Sequence, residues 1–448
     1  MSTAPTTASA PTTVPTDPDV PPAVPDVVDH LLGTRPGSRL DEIRGARPAA
    51  RANAQRSHEA LLEPVDPTHV SLLERSVVAA FVSALHGSGP VAARYAAHLG
   101  AADPHLARVV AREVASGATT GPYGAYREPA LAGESRPGPV YRVQDGEALG
   151  ARLTAALEHA HLLVLRPREA SPAALERLAA AGWSTDGIVT LAQLVSFLAF
   201  QVRVVHGLGA LAAEVPDGGT AEAPDGVAGE APDGLAGDRP EPGPAERAPA
   251  QVLTYPDLRR PEAFTRDQLG WVPWLEPLPR EELTERHLDG LVDRRRADND
   301  YFRLLVRDPE VLAARTRTDN DIFYNTRGGL PRAERELAAT AASRLNGCVF
   351  CASVHARFAA HHSRRPEDVQ RLLDEGVFAD LGPRWDAVVA AAVALSSTPP
   401  TFGAQEVGAL RAAGLDDLEI ADLVHGAAFF GWANRLMLSL GEPAEPGV

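Results

Sequence analysis

Lysine is missing altogether from these 448 residues, so all 43 basic side chains are arginine. That absence excludes Schiff-base chemistry on a lysine amine, and it excludes the phosphate-binding loop whose lysine reaches the phosphates. Cysteine is nearly absent: there are two, which points to a reducing compartment and not to a secreted fold stapled by disulfides. Positive charge is in deficit. The formal net charge of -16 and a pI near 5.4 argue against a nucleic-acid partner, which would need a basic face. The most apolar long stretch, residues 188–213, is interrupted by Gln193, Gln201, Arg203 and His206, a pattern that suits a core helix better than a membrane span. The first 25 residues have neither a basic leader nor an apolar core segment. A soluble, cytoplasmic protein with no membrane partner is expected.

What is present sets the domain plan. A chain of 448 residues with 44% hydrophobic content is long enough for two or three domains with sizeable cores. Residues 1–25, made largely of Thr, Pro, Ala and Asp, read as a disordered tail. A second low-complexity segment, residues 213–250, repeats Pro-Asp-Gly after Val215, Ala223 and Ala231, which is turn chemistry with almost no apolar anchor. It reads as a flexible acidic linker between a domain over residues 26–212 and another over residues 251–445.

The informative stretch is 336–355, ELAATAASRLNGCVFCASVH. It contains both cysteines, Cys348 and Cys351. Residues 336–345 are strongly helical by composition, and Asn346-Gly347 is a helix-terminating pair, so a second helix is predicted to start near Cys348. A thiol at a helix N-terminus meets free backbone N–H groups and the positive end of the dipole, which favour the thiolate. Cys351 and His355 are four apart and share one helical face, so the imidazole can exchange a proton with the sulfur. Glu336 is in a position to orient that imidazole, giving a nucleophile, a base and an orienting carboxylate.

Other readings of the cysteine pair are weaker. Zinc would need four closed ligands, and the set Cys348, Cys351, His355 plus a carboxylate would be unusual. A c-type haem needs histidine directly after the second cysteine, where Ala352 stands. A structural disulfide closing so short a loop gains little chain entropy.

The pattern E-x11-C-x-x-C-x3-H resembles that of the alkyl hydroperoxide reductase D (AhpD) and carboxymuconolactone decarboxylase superfamily, an all-helical group whose redox members reduce peroxides. The resemblance implies an all-α fold and an organic hydroperoxide substrate. It makes Cys351 the peroxidatic thiol, Cys348 the resolving thiol, and His355 and Glu336 a proton relay. It implies no metal and no bound cofactor; an external dithiol, protein or small molecule, would reduce the disulfide, and a homo-oligomer is expected. The family has a histidine just before its second cysteine, where this chain has Phe350.

An internal repeat extends the reading to the first half. Ala93–His98 answers Ala356–His361, Leu149-Gly150-x-Arg152 answers Leu381-Gly382-x-Arg384, Pro167 answers Pro399, and Leu178-x-Ala180-Ala181-Gly182 answers Leu410-x-Ala412-Ala413-Gly414. Ile188, Leu191 and Phe197 then answer Ile420, Leu423 and Phe429 without a gap. Two tandem helical domains of AhpD type are expected, the first without cysteines and serving as a structural partner, with Glu74 and His86 as candidate remnants of a site. Residues 26–64 read as an arm too polar for a core, laid over the first domain. Residues 281–296 read as a helix. The stretch 315–325 reads as a capped loop or a pocket lining, and the aromatic stripe Phe429, Phe430, Trp432 and Met437 as core or interface, with His425 structural.

Overall fold

The computed structural model describes residues 26–214 and 248–446. The tail expected over 1–25 and nearly all of the linker expected over 213–250 lie outside the described residues. The fold is all-α apart from one small ribbon. In the first half the helices are α1 Val27–Leu32, α2 Arg39–Gly45, α3 Pro48–Leu62, α4 Leu72–Leu85, α5 Pro90–Ala102, α6 Pro104–Gly117, α7 Gly146–Leu165, α8 Pro172–Ala180 and α9 Thr185–Ala213. The second half has α10 Glu285–Gly290, α11 Asp300–Leu305, α12 Pro309–Tyr324, α13 Arg332–Asn346, α14 Val349–Ser363, α15 Pro366–Glu375, α16 Pro383–Ser396, α17 Ala404–Ala412 and α18 Asp417–Leu440. A two-stranded antiparallel ribbon joins β1 Gly270–Pro273 to β2 Gly441–Ala444.

From α3 to α9 the first half runs through the same helix order as α12 to α18, and identical local devices mark the correspondence. Glu74 and Arg152 form an ion pair, as do Glu334 and Arg384. Arg75 bonds the carbonyls of Val70 and Leu61; Arg335 bonds those of Leu330 and Ile322. The hydroxyls of Ser57 and Thr318 each bond back one turn, to Asn53 and Ala314. Gly150, at a kink within α7, and Gly382, just before α16, share a positive φ, 71° and 88°, and Gly182 and Gly414 do so at 86° and 87°. Only glycine takes such φ values without strain, which is why these residues recur in both halves.

The halves join through two matched helix pairs, α9 with α18 and α3 with α12. Both long helices are apolar almost all round, so neither can be a surface helix. α9 is long and apolar enough to cross a membrane, yet its most apolar 18-residue window is 94% buried within the protein. Phe197 and Phe200 of α9 pack edge-on or tilted against Phe429 and Trp432 of α18 at centroid distances of 5.2–6.3 Å. A Cβ on Gly207 would come within 2.7 Å of Val424, so the helices meet where glycine removes the side chain. Two fully buried arginines then reach across: Arg203 bonds Ser396 O and Ser397 O beyond α16, and Arg435 bonds Val164 O at the end of α7.

Three expectations are corrected. Residues 48–62 are not an arm over the first half but the helix α3 packed on α12, burying Ala50, Ala54, Ser57, His58 and Leu61. Small and polar residues suffice for a core when two helices approach closely and each polar side chain has a local acceptor. Residues 315–325 are not a loop; α12 continues to Tyr324. The segment 281–296 breaks into a short 3-10 turn, α10 and a second 3-10 turn, because Val292 takes a left-handed φ of 64°. The β1–β2 ribbon had no counterpart in the sequence reading; through it Trp271 and Trp274 pack on the end of α18, donating to Met437 O and Glu442.

Trp432 is fully buried against aromatic rings of the other half. Trp432→Ala should therefore cost about 3–5 kcal/mol and lower the urea midpoint of both halves together, measured by circular dichroism. Loss from one half alone would mean that the aromatic seam does not couple them.

Candidate functional site

The site begins with the helix break. α13 ends at Asn346, and Gly347 takes φ 83° as its left-handed cap, its N–H bonding Ser343 O. Cys348 is the N-cap residue of α14, and Cys351 lies on its first turn. The thiols are 1% and 5% exposed. The predicted break and restart are therefore where the sequence put them.

The four residues singled out from the sequence come together. His355 Nδ1 meets Glu336 Oε2 at 2.5 Å, and Arg332 Nε donates to Glu336 Oε1 at 2.5 Å. Glu336 is fully buried; desolvation would raise its pKa, but His355 and Arg332 prevail and hold it below the usual carboxylate value. Burial would lower the pKa of His355, yet Glu336 and the Cys351 sulfur raise it. The ring is held edge-on to Phe430 at 4.3 Å and against Phe323 at 5.5 Å.

The sulfurs are unequal. Desolvation disfavours a thiolate at Cys351, but the Cys348 thiol, His355, Asn434 and Arg315 together pull its pKa below that of a free thiol. Cys348 is pushed up by burial, by its bond to Cys351 and by the charge of Glu128. The arrangement favours a thiolate at Cys351 over one at Cys348, with the Cys348 thiol as hydrogen-bond donor to it and the His355 ring as the partner that gains from its charge.

Several contributors were beyond sequence reading. Asn434, on α18, is fully buried; it accepts from Asn346 Nδ2 at 2.9 Å, donates to Ser343 Oγ at 3.0 Å, and bonds the Cys351 sulfur. Arg315 reaches in from α12 with its guanidinium 5.0 Å over the Phe429 ring, and Asp319 on the same helix faces Arg315 and His355. Tyr301 of α11 faces both sulfurs, and burial raises its phenol to about 12. Asn346 carried a signal, as half of a helix-stop pair, and Arg315 fell within the stretch read as a capped loop or a pocket lining, but Asn434 carried none, since it lies many helical turns along the chain from the thiols.

A small cavity of about 20 Å³, room for about one water, opens on Cys348 and not on Cys351. Its wall includes Phe350, Trp271 and Met437 from the second half and Arg127, Glu128 and Arg168 from the first. Among the described residues, no set of three or more His, Cys, Asp and Glu side chains is arranged to hold a metal ion.

In the first half the corresponding positions are empty of this chemistry. Counting from the matched arginines Arg75 and Arg335, Glu336 corresponds to Ser76 and Glu334 to Glu74. Glu74 is thus the counterpart of a structural ion pair and not a remnant of the relay. His86 is buried beside Arg203, and burial next to that guanidinium drives its pKa far down.

Residues 309–394 match the carboxymuconolactone decarboxylase family. That matched segment runs from α12 into α16. Among solved structures, the chain is similar to an alkylhydroperoxidase AhpD core, an uncharacterized peroxidase-related protein from Ralstonia eutropha JMP134. The likeness is 22% identity over 36% of this chain and 87% of that one, with a TM-score of 0.32. No curated protein matches. The family segment contains all four of Glu336, Cys348, Cys351 and His355, whereas Asn434 lies outside it.

Removing Asn434's amide or Cys348's thiol takes a hydrogen bond from the Cys351 thiolate. N434A and C348A should each raise the Cys351 pKa, read as thiolate ultraviolet absorbance against pH; an unmoved midpoint in both would mean that neither bond stabilises the anion.

Proposed function

We propose that the protein is a thiol-dependent peroxidase acting on organic hydroperoxides. The observation that carries this reading is the inequality of the two sulfurs beside a Glu336-held imidazole, with the lowered pKa on the second cysteine. Cys351 thiolate attacks the distal peroxide oxygen, the O–O bond breaks, and the alkoxide leaves with the proton from His355 as an alcohol. Cys351 is then a sulfenic acid. The Cys348 thiol displaces its hydroxyl, water leaves, and a disulfide forms. An external dithiol returns two electrons and two protons by exchange, which begins on an accessible sulfur. Cys348 is the sulfur that faces the small cavity. A buried thiolate next to an acid suits peroxide because the leaving oxygen needs a proton at the moment of cleavage, and the Glu336–His355 pair holds one there.

A thiol-disulfide oxidoreductase would use the same pair, but its attacking sulfur must meet a bulky disulfide, and both thiols are buried. A non-redox decarboxylase of the same family would need neither thiol. The site residues, the external reductant, the cytoplasmic setting and a homo-oligomeric assembly belong to the proposal.

C351S should abolish peroxide consumption, while C348S should permit a single turnover and block recycling; equal first-turnover rates in the two would remove the assigned roles. His355→Ala should slow the first step by about 10²–10⁴-fold, with Glu336→Gln less severe. The rate should be bell-shaped in pH. It rises as Cys351 ionises, below the ordinary thiol value of 9.0, and falls as His355 loses its proton, above the ordinary imidazole value of 6.5. Stopped-flow kinetics of the wild type and His355→Ala would check this: the variant should lose the alkaline limb, and a retained limb would mean that another group supplies the proton.

A further inference from the structure

The α3–α12 pair has two ends that the repeat makes equivalent, and their charges are reversed. At one end Arg47, the residue before α3, lies buried on Asp422 of α18, with Nε and Nη2 at 2.8 and 2.7 Å from the carboxylate. Its guanidinium also donates to the carbonyls of Arg327 and Gly328. Arg335 sits 3.1 Å from the same carboxylate. At the other end the residue before α12 is Asp308, and Asp422 is replaced by its counterpart Thr190 on α9, whose hydroxyl donates to Asp308 at 3.0 Å. The counterpart of Arg335 is the buried Arg75, whose charge acts on Asp308. The sequence Arg–Asp–Arg at one end thus becomes Asp–Thr–Arg at the other. Where Arg47 fills its end, the shorter Asp308 leaves a cavity of about 680 Å³ lined by Asp308, Thr190 and Arg75.

We propose that these residues form a pairing code, which makes the surface of each half accept the other half and reject a second copy of itself. In a pair of two second halves, Asp308 would take the place of Arg47 and face Asp422 at both ends. In a pair of two first halves, Arg47 would take the place of Asp308 and face Thr190 and Arg75, with no carboxylate. Of these three pairings, the mixed pair alone gives Arg47, Asp422 and Asp308 each an opposite charge. Like charges in a desolvated interface are strongly disfavoured, and burying an unpaired charge is costly however good the surrounding contact. The aromatic seam of α9 and α18 repeats Phe197 as Phe429 and Phe200 as Trp432 and brings no charge to either end; it differs at Gly207, which meets Val424 and has Ser439 as its counterpart. The code thereby assigns the first half, which lacks cysteines, to the place that a second thiol-bearing half would otherwise take.

The test uses the full chain with a protease site between residues 214 and 248, cut after folding, and native mass spectrometry of the two fragments. Wild type should hold as a mixed pair only, even after long incubation. R47D, which sets a second carboxylate against Asp422, should weaken the mixed pair roughly hundredfold. R47D/D422T rebuilds the Asp–Thr–Arg arrangement of the other end and should recover most of that loss. D422N removes the second half's self-repulsion while keeping an acceptor for Leu330 N–H, and should let pairs of second halves appear; D422T should do the same if the backbone bond is dispensable. Likewise D308R should weaken the pair, and D308R/T190D restore it. Homotypic pairs from the wild type, an R47D pair as tight as the wild type, or a double variant no tighter than R47D would each overturn the code.

Discussion

Everything in this structure depends on burying two long apolar helices against one another. Neither α9 nor α18 has a polar face, so each half alone would expose a broad apolar surface, and the seam of Phe197, Phe200, Phe429 and Trp432 closes it. Close contact demands small residues at the crossing, which Gly207 supplies at the helix-propensity cost that glycine always carries. Arg203 and Arg435 fasten the seam by reaching from each long helix to helix-end carbonyls of the opposite half. Those carbonyls are among the four that any helix leaves unsatisfied, so the same bonds that join the halves also complete the helix ends.

The thiol site hangs from that frame. α18 supplies Asn434 to the sulfur and Phe430 to the imidazole, while α13 and α14 supply the relay and the thiols. Asn434 is held by Asn346 and Ser343, so the amide cannot turn away from Cys351 without losing two buried hydrogen bonds. The electrostatics follow from position: Cys348, His355, Asn434 and Arg315 lower the Cys351 pKa against its desolvation, while burial and the neighbouring sulfur raise that of Cys348. The first half takes part as well, for Arg127, Glu128 and Arg168 wall the small cavity over Cys348.

Much of this was legible in the chain. The Asn346-Gly347 stop, the i to i+4 relation of Cys351 and His355, and the placement of Glu336 one helix earlier are local facts, and local geometry obeyed them. The repeat was legible chiefly through its glycines, because a left-handed backbone position excludes other residues and so leaves a mark that alanine and leucine cannot. Illegible were the residues whose role depends on another helix: α3 looked too polar for a core until α12 lay on it, and Glu74 looked like a relay carboxylate until Arg152 was beside it.

The sequence by itself determined the helices, their stops, the doubled plan and the four chemical groups, since each of these rests on backbone preference or on spacing within a turn or two. Tertiary structure alone decided which carboxylate serves which partner. Glu334 and Glu336 are two residues apart and nearly opposite on one helix, so packing sends the first to Arg384 and the second to His355. Tertiary structure also chose the sulfur that ionises, because desolvation and the reach of Asn434 and Arg315 act across helices, through distances that no spacing along the chain encodes.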